Sequence, residues 1–281
     1  MMNHTTFSPG DIQGTQPAMK VGVLATVTPE GLPHVTLISS LMACGPQQLS
    51  FGQFTEGISK KNILGNPHAG FLIMSLDKEI WRGKARYTHL ATDGPEFDYY
   101  NNVPMFRYNA YFGIHTVYYL DLISHAGRQP LPMSRVVFAA IQTILARTFG
   151  RDRGTEPVIN LWTQRFLNQL DCLKFLAYVG PDGYPEIIPA IQAQSLDSEH
   201  ILFSTSVYRD ELERIPVGAD LCVFGMGLTM EDVLLRGEYH GIRRIGGIKA
   251  GLVQVKWVYN PMPPVPGQIY PPVELNPIEE F

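Results

Sequence analysis

The chain has 281 residues, a net charge of −4, 45% hydrophobic and 17% charged residues. That composition forms a core and excludes a disordered chain, and the length suits two compact domains. The mild acidity, with a pI near 6.1, argues against nucleic acid as the main partner, because phosphate-backbone binding needs a basic face.

Cys44, Cys172 and Cys222 lie far apart and form no CxxC, which argues against a disulfide framework or a structural zinc site. They read as three buried thiols in a reducing compartment. No HxH or HExxH occurs, so no metal is expected. No apolar run reaches the ~18–20 residues of a membrane span, and the N-terminus carries no basic or apolar leader. These features predict a soluble cytoplasmic protein.

In chain order, the first predicted element is a hairpin. "LATVTPEGLP", from Leu24, reads as strand, tight turn, strand, with proline presetting the turn and glycine accepting the positive φ that follows. "HVTLIS" continues the second strand, and "LSFGQFT" reads as the next. "EGISKKNILGNP" then supplies a short helix whose start carries Ser59, Lys60 and Lys61. A hydroxyl, two cations and free helix-start N–H groups together can hold a phosphate. Strand-like "HAGFLIM" and "IWRGKARYTH" follow.

The segment from Gly94 to Ile123 is rich in Tyr, Phe and Asn; its first part reads as a helix-and-loop insertion, and from Gly113 it alternates like a strand. Its aromatic content suits a lid or stacking wall, against ordinary packing of an irregular loop. "SRVVFAAIQTILARTFG" predicts a helix with Ser134 as N-cap and a stop at Gly150. "TEPVINLWTQRFLNQLD" predicts a second helix, with Thr155 as N-cap, Pro157 in its first turn, and an apolar face of Val158, Leu161, Trp162, Phe166 and Leu170.

The chain then repeats itself. "LAYVGPDGYP" starts at Leu176, and 176 − 24 = 152; Phe51 and Phe203 keep that spacing, while Arg82-Gly83 and Arg236-Gly237 stand 154 apart. Shared order at near-constant spacing implies duplication of one β-rich domain. The expected division is residues 1–130, a helical linker over 131–171, and a second barrel over 172–281 ending in a proline-rich, extended tail.

The motifs "LATVTPEGLPHVTLIS", "LSFGQFTEGISKKNILGNPHAGFLIM" and "IWRGKARYT" resemble, in order, those of the pyridoxamine 5′-phosphate oxidase-like FMN-binding split-barrel superfamily. The likeness covers residues ~20–125 well and 172–260 more faintly. It implies a mainly β fold with a few helices: two tandem Greek-key split barrels forming a pseudo-dimer within one chain. It places the FMN phosphate at Ser59, Lys60 and Lys61, and lays the ring along Val35, Thr36, Leu37 and Ile38. Gln53 and Phe54 would reach the ribityl chain or ring edge. Lys60-Lys61 departs from the Arg-Lys frequent in the family. At the 152 offset the second repeat has Glu211, Leu212 and Glu213, where two carboxylates oppose a phosphate dianion. Arg209 and Arg214 stand nearby. One FMN per chain is therefore expected, in the first barrel.

The resemblance implies an FMN-binding oxidoreductase, a reductase of a small molecule by preference, using a small-molecule substrate or electron donor. A homodimer of chains is also open. The tail lacks the arginine-rich substrate motif of pyridoxamine phosphate oxidation. The alternative, in another class, is a flavin- or haem-binding carrier or sensor without turnover. No nucleophile–base motif nominates a catalytic residue, and His34, His89, His115 and His240 each read first as structural.

Overall fold

Turn chemistry sets the two hairpins. In the first, Gly31 takes φ +81°, its N–H donates to the Thr28 carbonyl at 2.9 Å, and Thr28 N–H donates to Leu32 at 2.8 Å. The same bonds recur 152 residues on: Gly183 has φ +78°, its N–H donates to Gly180 at 2.9 Å, and Gly180 N–H donates to Tyr184 at 2.8 Å. An L-residue at either glycine would be strained by its Cβ. The repeat seen in the letters is therefore a repeat of backbone geometry.

The structure is a computed structural model and describes residues 4–53, 57–104, 113–150, 157–227, 231–261 and 267–273. After a capped helix α1 (Pro9–Thr15), strands β1 (Lys20–Val27), β2 (Pro33–Leu37), β3 (Met42–Gly45) and β4 (Gln48–Gly52) precede helix α2 (Ile58–Gly65). Strands β5 (His68–Ser75) and β6 (Glu79–Ala91), helix α3 (Pro95–Asn102), β7 (Val117–His125) and the short β8 (Gln129–Pro130) complete the first set. Helices α4 (Met133–Phe149) and α5 (Leu161–Leu167) intervene. The second set is β9 (Leu173–Val179), β10 (Pro185–Pro189), β11 (Gln194–Ser195), β12 (His200–Ser204), α6 (Arg209–Leu212), β13 (Asp220–Met226), β14 (Asp232–Ile245), β15 (Ile248–Asn260) and β16 (Gly267–Tyr270).

Two eight-stranded sheets result. The first runs β2-β1-β5-β6-β7-β4-β3 with β8 on β6, and the second β10-β9-β13-β14-β15-β12-β11 with β16 on β15. Apart from the added β8 and β16, each strand of the first order has its counterpart at the same place in the second. The fold is thus mainly β, in two tandem split-barrel sheets. By internal contacts the chain divides into residues 1–133 with 177–187, and 134–176 with 188–281. Within the first unit, Lys84 is salt-bridged to Asp182 at 2.8 Å and to Glu186 at 2.9 Å.

The first core follows strand periodicity. Ala69, Phe71 and Ile73 of β5, Leu120 and Leu122 of β7, Leu49 and Phe51 of β4, and Leu24 of β1 share one buried cluster. Gly83 and Gly237 explain the Arg-Gly pairs. A Cβ at Gly83 would overlap the Ser124 carbonyl oxygen, and one at Gly237 that of Gln254. Both lie beside irregularities in strand register, where backbones approach closely.

Several expected boundaries move. Ser134 lies inside α4, which begins at Met133, while Gly150 does follow its last residue. The second helix starts at Leu161, not near Pro157. The Asn160 side chain accepts from Thr163 N–H at 2.8 Å and caps it, whereas Thr155 lies outside the described residues. The later start rotates the buried face to Thr163, Phe166 and Leu167; Leu161, Trp162 and Leu170 of the expected face are exposed. Strand β7 begins at Val117, four residues after Gly113. The Asn101 amide binds both backbone groups of Ile114, at 2.9 and 3.0 Å, and takes them from the ladder. Of the proline-rich tail, Gly267–Tyr270 pairs with β15.

Candidate functional site

Helix α2 is fixed from below. Ile63 is fully buried in the first core, and the Asn62 amide donates to Thr26 Oγ1 of β1 at 3.1 Å. The helix packs on β1 and β2. That packing brings its first turn to the strand on which the ring was expected.

Gly57 is the N-cap residue and no described side chain caps the helix start; a Cβ at Gly57 would meet nothing within 4 Å. Ser59 is only 2% exposed, and its hydroxyl is buried with no hydrogen-bond partner among the described residues. A buried unpaired hydroxyl is costly, so it marks either strain or a missing acceptor. Lys60 beside it is 9% exposed, a low value for a lysine, while Lys61 is exposed. An open N-terminus, an orphaned hydroxyl and two ammonium groups gather several donors at one helix start. That chemistry fits a phosphate group.

The other expected residues fall in the same unit. Val35 is fully buried in β2, Thr36 and Leu37 are partly exposed, and Ile38 is buried just past the strand. In the hairpin register Thr36 pairs with Leu24 and Val35 with Ala25, so Thr36 and Val35 face opposite sides of the sheet. All four therefore cannot offer side chains to one planar ligand; two would act only through backbone. Gln53 follows β4, its N–H bound to the Thr116 carbonyl at 2.9 Å. Phe54 lies outside the described residues.

Tyr118 escaped the sequence reading. Its hydroxyl donates to Gln53 Oε1 at 3.0 Å, and its ring stacks on Phe51 at 5.0 Å and 2°. This pair holds the Gln53 amide in one orientation. The alternation of "TVYYLDLI" was the available signal, since it places Tyr118 and Tyr119 on opposite faces. In the aromatic insertion, Tyr100 of α3 is buried and its hydroxyl bonds Ser50 at 2.8 Å, so this part packs as core. Burial pushes its phenol well above the usual range.

Two of the four histidines bond a neighbouring hydroxyl. His115 meets Thr116 Oγ1 at 2.9 Å, and His89 meets Thr88 Oγ1 at 2.9 Å and stacks on Tyr119. Among the described residues no group of three or more His, Cys, Asp or Glu side chains is placed to hold a metal. No helix among them is long and apolar enough to cross a membrane.

In the second unit the corresponding helix has shrunk to four residues, Arg209–Leu212. Leu212, at the position matching Lys60, is fully buried. Arg209 makes a long 3.8 Å ion pair with Glu213. The hydroxyl-and-lysine arrangement is absent at this position.

Residues 12–145 match the family model described as pyridoxamine 5′-phosphate oxidase. No curated protein matches the chain. Among solved structures, an FMN-binding protein from Syntrophomonas wolfei subsp. wolfei is similar at 12% identity and a TM-score of 0.36, over 43% of this chain and 88% of its own. A pyridoxamine 5′-phosphate oxidase, assigned as such provisionally, from Lactobacillus delbrueckii is similar at 18% identity and 0.34, over 44% and 98%. An F420 reductase is similar at 19% identity and 0.33, over 44% and 98%.

Proposed function

We propose, for a chain whose first unit is a pyridoxamine 5′-phosphate oxidase-like split barrel, that this unit binds FMN and that the protein is a flavin-dependent reductase of a small molecule. The observation that carries the reading is the Ser59 hydroxyl, buried without a partner among the described residues at an eight-residue helix start that none of them caps, beside a buried lysine. Ser59, Lys60 and Lys61 would hold the phosphate. The backbone of Val35 to Ile38 would run along the ring, and Gln53, held by Tyr118, would present its amide to the ring edge or ribityl chain. Bound FMN supplies hydride and electron transfer; the residues supply placement, neutralisation of the dianion and exclusion of water.

The test compares FMN with riboflavin, which lacks the phosphate. Apoprotein titrated by flavin fluorescence should prefer FMN by about tenfold or more. The double variant Lys60→Ala, Lys61→Ala should lose that preference and keep its riboflavin affinity. Equal affinity of the variant and the parent for FMN places the phosphate elsewhere. Anaerobic bleaching of the bound flavin by a nicotinamide cofactor then separates a reductase from a carrier.

A further inference from the structure

The second unit carries a different cavity at its own strand end. An open cavity of ≈ 290 Å³ is lined by the hydroxyl run Ser204, Thr205 and Ser206 and by three cations, Arg209, Arg244 and Lys249. The hydroxyls come from the end of β12 and the residues just after it, Arg209 from the start of α6, and the other two cations from the facing ends of β14 and β15. Folding therefore gathers charges more than thirty residues apart in sequence.

Arg244 and Lys249 are direct cross-strand partners. Like charges placed opposite each other in an antiparallel pair destabilise it. Among the described residues neither has a carboxylate partner, and Arg209 has only the 3.8 Å contact with Glu213. Asp210, Glu211 and Glu213 share the helix turn, but none lines the cavity. The floor is polar as well. Ser204 Oγ donates to Gln142 Oε1 at 2.6 Å and lies 3.1 Å from Ser206 Oγ, and Gln142 itself lines the cavity. An anion seated here would relieve the Arg244–Lys249 repulsion while taking hydrogen bonds from guanidinium, ammonium and hydroxyl donors at once.

We propose that this cavity is a binding site for a small phosphomonoester. Two guanidinium groups and an ammonium match a phosphate dianion better than a monovalent carboxylate. The volume sits at the lower edge of the ~300–1,000 Å³ typical of drug-sized ligands, which suits a small phosphorylated metabolite. Ser206 and Gln142 are placed to bond hydroxyls of the attached carbon skeleton. The site does not depend on the flavin reading. It uses none of the residues at 59–61, and its ligand is bound whether or not FMN occupies the first unit.

The experiment titrates full-length protein, with and without saturating FMN, with ribose 5-phosphate, inorganic phosphate and ribose, by calorimetry. The two phosphates are expected to bind and ribose not to bind. Tighter binding of ribose 5-phosphate assigns a metabolite, and equal binding assigns the bare anion. In the double variant Arg244→Gln, Lys249→Gln, both exposed at the strand ends, phosphate affinity should fall about tenfold or more. Single Arg209→Gln guards against a turn-specific artefact and should weaken binding in the same direction. No phosphate binding by the parent protein, or unchanged affinity in the double variant, overturns the proposal. So does loss of phosphate binding in the double variant Lys60→Ala, Lys61→Ala, which would put the anion in the first unit.

Discussion

Lys60 and Leu212 occupy the same position of one duplicated helix start, and both are buried, at 9% and 0% exposure. The scaffold therefore accepts hydrocarbon there. Burying an ammonium instead carries a desolvation cost that hydrocarbon does not. This comparison predicts the outcome of Lys60→Leu. Its unfolding free energy should stay within about 1 kcal/mol of the parent, while FMN affinity falls about tenfold. Denaturant unfolding of the apoprotein and flavin titration measure the two effects separately. A variant that fails to fold would assign Lys60 to structure.

Asp232 predicts a pH dependence. It begins β14, is 7% exposed, and its Oδ1 is buried with no partner among the described residues. Burial pushes its pKa up to about 7. Between about pH 4 and pH 7 the folded chain keeps a proton there that the unfolded chain releases. Stability therefore declines as pH rises through that window and levels off above it. Asp232→Asn removes the titration. Its advantage over the parent should be small near pH 4 and grow to an upper bound of about 4 kcal/mol near pH 8. Melting temperatures at both ends check this, and an advantage that does not grow with pH contradicts it.

The glycines separate two costs. Around Gly31 there is open space, so Gly31→Ala meets only the positive φ and should cost about 1 kcal/mol. Gly83→Ala and Gly237→Ala press a methyl group onto a neighbouring carbonyl and should each cost about 2–3 kcal/mol. Urea midpoints of the three variants give the order directly.

The thiols should be quiet. Burial pushes Cys44 and Cys172 up to about 11 and Cys222 to about 12. At neutral pH the thiolate of Cys44 or Cys172 is then about one part in ten thousand, and only the thiolate is nucleophilic. Iodoacetamide should label the native protein slowly and the unfolded protein at all three cysteines. Mass spectrometry over time distinguishes the two.

The duplication was legible because its signals are local. Pro29 with Gly31, and Pro181 with Gly183, state a turn whatever surrounds them, and the hydrogen bonds of both turns agree. Helix limits were less so, since Thr155 and Asn160 are both plausible caps by residue type, and the helix at Leu161 is capped by Asn160. The burial of Lys60 could not be read at all, because a lysine beside a lysine reads as a solvated face. Nor could the grouping of Arg209 with Arg244 and Lys249. Arg214, the nearer neighbour in sequence, does not line the cavity, and strand pairing decides which cations meet.

A homodimer of single barrels would express every substitution twice, once in each copy. Here the two copies of the β4–α2 junction are separate stretches of one chain, and they have diverged. One keeps a serine and two lysines; the other has a shortened helix, a leucine and a run of hydroxyls. Selection can therefore act on residue 60 without touching residue 212. Fusion gives this protein an independence between its halves that no symmetric assembly of one-barrel chains possesses.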